Sequence, residues 1–284
     1  MNVFAAAVLC ACAQLSHASM PTTVPQSPAA GIETRRTMAY MYCMGTASCD
    51  NRTRIVLQHS SPPSLSDVVL GSHLCRITEF KPDAPEEWCD YARNYSSHVR
   101  ALQGAGTSVF LNAAGAHNFA KLPFVTGDLG VERMVDLALN LSAVGWAFDL
   151  EAKGIPLEQY VDFFTKVGTA FAPHGLKLQY TIGKHFAATL NFSALFPLVD
   201  YGFDMGVYSG SSKHFNTTYH NVPAGMLGKY VPAGSDVQWT EETANTMFSL
   251  FRAAPGLQTV GMFAITETTQ EFWWPALQAW LNGS

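Results

Sequence analysis

The feature that most constrains the fold of this chain is an alternation of short strand-like runs with longer helix-like stretches, repeated about eight times. The strand-like runs are Thr37 to Cys43, Leu74 to Phe80, Thr107 to Ala113, Val144 to Glu151, Leu176 to Ile182, Val199 to Gly206, Gly228 to Ala233 and Thr259 to Thr266. A helix laid over each parallel strand covers the sheet on its outer side, and eight such units close into a single (β/α)8 barrel. The clearest crossover follows Pro156, where Leu157, Tyr160, Val161, Phe164, Val167 and Phe171 recur at helical spacing, with the proline suited to a first turn. Glu132 to Leu141 also reads as a helix. The first crossover reads as poor in helix, and its Pro62-Pro63 pair is expected in an irregular loop on the barrel top.

Residues 1–18 read as a secretory leader: an apolar run from Val3 to Leu15, too short to span a bilayer, is followed by Ser16-His17-Ala18. About 266 residues remain, close to the ~250 typical of one barrel. Residues 19–36 are expected as an extended arm and 37–284 as the barrel domain. An oxidising destination makes disulfides of Cys43, Cys49, Cys75 and Cys89, and of the three possible pairings the local one, Cys43 with Cys49 and Cys75 with Cys89, closes most easily. Six Asn-x-Ser/Thr triplets, at Asn51, Asn94, Asn140, Asn191, Asn216 and Asn282, suit an exported chain. With a net charge of −5 and no basic cluster, nothing points to nucleic acid or a membrane surface. A small or uncharged partner and a monomer are expected.

The chemistry concentrates in Val144-Gly-Trp-Ala-Phe-Asp-Leu-Glu151. Side chains alternate along a strand, so Trp146, Phe148 and Leu150 are expected to face the helices, while Gly145, Ala147, Asp149 and Glu151 face the lumen. Both acids then lie at the strand's C-terminal end, the catalytic end of barrel enzymes. Two carboxylates about 7 Å apart at their Cα atoms raise one another's pKa, which can hold one as a general acid near neutral pH. The plainer alternative is that they merely border a loop.

This segment resembles the fourth-strand signature of glycoside hydrolase family 18, Asp-Gly-x-Asp-x-Asp-x-Glu, with Gly145, Asp149 and Glu151 in matching places. Ser72-His73-Leu74 running into Ile77-Thr78-Glu79-Phe80, and Ser108 to Gly115, resemble the family's second and third strands. The resemblance implies a chitinase-like hydrolase of β-linked amino-sugar glycans. Glu151 would be the acid and Asp149 its partner, and the substrate's own acetamide would be the nucleophile, a substrate-assisted route. Gly183-Lys184-His185 lacks the glycine-rich lead of a phosphate loop and neither a Gly-x-Ser-x-Gly elbow nor a His-Glu-x-x-His motif occurs, so no cofactor and no metal are expected. Val144 and Ala147 stand where the family has its first two aspartates. Tyr208, in Asp204-Met-Gly-Val-Tyr-Ser209, is one place away from the family's tyrosine, and Ile265 takes the place of its eighth-strand Trp.

Two other readings follow from these departures. One is a sugar-binding lectin without turnover. The other is a neutral-sugar hydrolase that pairs Glu151 with Asp204 or Glu267. Parity along the sixth strand turns Asp204 inward, whereas the family pattern turns Met205 inward, and the sequence leaves both open. Candidate sugar contacts are Tyr42, Asn112, Tyr180, Asp204, Met205, Tyr208, Trp239 and Glu267, with Trp273 and Trp274 weaker candidates and His117 and His185 at strand ends.

Overall fold

A computed structural model describes residues 34–43, 45–115, 127–151, 155–183 and 190–283; the segment expected as a leader, most of the expected arm, His117 and His185 lie outside these. Eight parallel strands close into a barrel in chain order, with β8 returning to β1. They are β1 (Arg36–Met41), β2 (Asp67–Arg76), β3 (Ser108–Ala114), β4 (Gly145–Asp149), β5 (Lys177–Ile182), β6 (Tyr201–Asp204), β7 (Tyr230–Ser235) and β8 (Thr259–Ile265). Around them run α1 (Thr46–Gln58), α2 (Ser96–Gly104), α3 (Asp128–Asn140), α4 (Leu157–Phe171), the single turn α5 (Phe192–Leu195), α6 (Ser212–Asn221), α7 (Glu241–Arg252) and α8 (Trp273–Asn282).

Strand parity divides the interior into two apolar layers. Val109 and Leu111 of β3, Trp146 and Phe148 of β4, and Leu178, Tyr180 and Ile182 of β5 pack outward with the helices. Met38, Tyr40, Val69, Phe110, Ala147, Phe203, Val231 and Ala233 form a separate cluster filling the lumen. On β4 the small Gly145 permits close approach, since a Cβ there would lie 1.9 Å from the backbone oxygen of Lys177 on β5.

Two expectations about the first crossover are corrected. It holds a 13-residue helix, α1, whose buried face is Cys49, Arg52, Thr53 and Val56. Those positions have helical spacing but two are polar, so the apolar periodicity is silent. The Pro62-Pro63 turn follows α1, and Ser64 accepts a hydrogen bond from Thr37 near the start of β1. It therefore sits at the barrel's bottom, opposite the strand C-terminal ends. The second strand also begins at Asp67, earlier than expected. Gly71 adopts φ 72° and the register to β3 jumps from Leu70 to Cys75, so the sequence pattern revealed only the strand's last three residues, Leu74 to Arg76, and Ile77–Glu79, expected as strand, forms a short 3-10 turn. Both local disulfides are present, Cys43 with Cys49 and Cys75 with Cys89.

Candidate active site

β4 carries the acidic pair to the mouth. Ala147 belongs to the lumen cluster, so Asp149, two residues on, projects to the same side. Glu151 follows just past the strand end and is half-buried. Asp149 is partly open as a residue, yet its Oδ1 is enclosed and finds no hydrogen-bond partner among the described residues. Burial, followed by the charge and hydrogen bond of Glu151, pushes the Asp149 carboxyl well above the usual carboxylate range. The expected rise of one acid is thus found at Asp149. The two carboxyls therefore interact directly across the end of β4.

Register explains what surrounds the pair. Asp149 pairs with Ala114 on β3 and Thr181 on β5, while Ala147 pairs with Asn112 and Gln179 in the row below. Asn112 is buried and donates from Nδ2 to the Ala147 carbonyl at 3.3 Å. Gln179 Nε2 donates to the Tyr40 hydroxyl at 2.9 Å, and that hydroxyl also bonds Thr181 Oγ1. Burial, reinforced by the charge of Asp149, raises the Tyr40 phenol's pKa, so it stays neutral. A hydroxyl and amide network therefore lies beneath Asp149, beside the small Ala147. Sequence reading missed Tyr40, Gln179 and Thr181. The signal was available, because the parity that turns Asp149 inward turns Gln179 and Thr181 inward through the strand register.

The rim is aromatic. Tyr42, beyond β1, and Tyr208, in the turn after β6, are half-buried and pack against the lumen cluster, which includes Met205. The Tyr208 ring stacks on Phe263 at 5.3 Å, and its enclosed hydroxyl has no hydrogen-bond partner among the described residues. Around the cis peptide between Phe263 and Ala264, the register to β1 passes from Phe263 opposite Tyr40 to Ile265 opposite Met41. Phe263 and Ala264 both join the lumen side, and Ile265 packs with the outer layer. The aromatic on the lumen side of this strand is thus Phe263, two residues before Ile265.

Several candidates are corrected. Asp204 is fully buried and turned outward, accepting hydrogen bonds from Gly206 N–H at 2.7 Å and the Tyr230 hydroxyl at 2.8 Å, with His214 Nε2 3.6 Å away. Met205 is the lumen residue there. Tyr180 is fully buried against Tyr160 and Phe164 of α4. Trp239 is 2% exposed, stacks on Trp273 and donates to the Tyr208 carbonyl; Trp273 and Trp274 are likewise buried. Glu267 is open to solvent but pairs with Arg52 at 2.8 Å, and that cation keeps its carboxyl below the usual range. Among the described residues no cluster of His, Cys, Asp or Glu is arranged to hold a metal.

Eight parallel strands and an outer ring of helices define a (β/α)8 barrel, here with polar groups gathered at the strand C-terminal ends. Solved structures of this fold that are similar to this chain include chitinases and a spore cortex-lytic enzyme. A class V chitinase from Pseudomonas fluorescens Pf-5 superposes with TM-score 0.65 at 15% identity, over 87% of this chain and 99% of its own. A Group IV chitinase from Ostrinia furnacalis, solved with allosamidin, gives TM-score 0.66 at 10% identity over 88% and 100%. The spore cortex-lytic enzyme SleL of Bacillus megaterium QM B1551 gives 0.65 at 9% identity over 90% and 75%. At these identities the likeness is one of fold. No protein-family profile matches the chain, and no curated protein matches it in sequence.

Proposed function

We propose that the chain is an exported, chitinase-like glycoside hydrolase acting on β-linked amino-sugar glycans, with Glu151 as general acid and Asp149 as its partner. The observation that carries this reading is the acidic pair itself: two interacting carboxyls at the C-terminal end of β4, one with its pKa raised by burial and by the other, in a barrel of the chitinase fold. Glu151 protonates the glycosidic oxygen as the bond to the anomeric carbon breaks, and the acetamide carbonyl of the same sugar attacks that carbon. Asp149 orients the acetamide and stabilises the charge that develops on it, and water, giving its proton to Glu151, then attacks the anomeric carbon and opens the ring formed by the acetamide. Phe263, Tyr208 and Tyr42 offer ring faces to the sugar at the rim. Two disulfides support the export reading.

The test is Glu151→Gln assayed on chitooligosaccharides. General acid catalysis contributes on the order of 10²–10⁴ in rate, and a loss of that size is expected with folding unchanged. Turnover equal to the parent's would remove the assignment.

A lectin without turnover is the second reading, and Ala147 favours it, because Asp149 lacks the carboxyl partner that the family pattern has one step earlier. Calorimetric binding of chitooligosaccharides without product release would select it. The neutral-sugar route is less favoured, since Asp204 faces away from the lumen and Glu267 is held by Arg52.

A further inference from the structure

Six Asn-x-Ser/Thr triplets remain that the hydrolase reading does not use, and all six asparagines are exposed. Two triplets differ from the rest in lying wholly within one α-helix: Asn51-Arg52-Thr53 in α1 and Asn216-Thr217-Thr218 in α6. Successive helical residues turn by about 100°, so positions two apart project onto opposite faces. With the asparagine in water, the hydroxyl must face the barrel. Thr53 is 5% exposed with Oγ1 enclosed, and Thr218 is fully buried, its Oγ1 3.4 Å from His214 Nε2. An N-glycosylation acceptor is defined by both the amide and the hydroxyl two residues on. Folding therefore separates the two halves of each acceptor, whereas an extended chain sets positions two apart on one side.

We propose that Asn51 and Asn216 carry N-linked glycans, attached while the chain is unfolded, after which folding buries the hydroxyl half of each acceptor. The donor class is an oligosaccharide linked to a lipid pyrophosphate. The asparagine Nδ2 forms the bond to the anomeric carbon, the carbon–oxygen bond to the pyrophosphate breaks, and the amide proton passes to solvent. Both sites project from the helix ring away from the barrel core, so the folded state accommodates the sugar without repacking. The proposal rests on the export reading and is independent of the catalytic one.

The full chain, with its own leader, is translated in the presence of microsomes, and site occupancy is read by peptide mass spectrometry. Both asparagines are expected to be occupied, and Asn51→Gln and Asn216→Gln each to remove one glycan. In parallel, unglycosylated full chain is offered to solubilised microsomal transferase with its lipid-linked donor, either folded or reduced and carboxymethylated. Occupancy at the two sites is expected only on the carboxymethylated chain. A protease-protected chain with both sites bare overturns the proposal while leaving export standing. A chain left outside the vesicles overturns both, and equal modification of folded and carboxymethylated chain overturns the order of events.

Discussion

Asp149 is where single-residue chemistry and stability meet. Its folded pKa is raised, so between the unfolded carboxylate value near 4 and the folded value the native state binds more protons than the unfolded chain. The burial of Asp149 therefore costs least in acid, and stability falls as pH rises through that window. Asp149→Asn removes the titration, so the variant's melting temperature relative to the parent should climb from pH 4 towards neutrality; a constant offset across that range would contradict the raised pKa. Asp149 and Glu151 were legible because Gly145 and Ala147 mark the lumen face of β4 by size. Asp204 was not. Both faces of β6 are buried, so parity separates Tyr201, Phe203 and Met205 from Gly202 and Asp204 without saying which set enters the lumen.

Elements were read best where the buried stripe is wholly apolar, as in α4, whose buried face is Tyr160, Phe163, Phe164, Val167 and Phe171. α1 escaped because Arg52 and Thr53 occupy half of its buried face. The first part of β2 escaped because Gly71 interrupts the strand where its register shifts. β4 depends on a backbone contact, and Gly145→Ala forces β4 and β5 apart at the Lys177 carbonyl. Overpacking of this kind costs about 1–3 kcal/mol. The variant's urea midpoint should drop accordingly, and a midpoint equal to the parent's would show that the two strands can give way freely.

For the whole molecule, the two disulfides lie in the first third of the described chain, and Cys75–Cys89 spans 14 residues between β2 and the segment leading to α2. Chain-entropy arguments give a loop of that length about 3 kcal/mol. Replacing both cysteines with serine should lower the unfolding free energy by about that amount, measured by denaturant titration in oxidising buffer; an unchanged value would mean the loop is already ordered in the unfolded chain. The barrel class was legible in full because the strand and helix rhythm survives even where single elements are misjudged. The pairing of β8 with β1 has a further consequence. Synthesis runs from the amino end, so the seam cannot be sewn until Thr259–Ile265 has left the ribosome, and two open strand margins persist for nearly the entire time the polypeptide is being made.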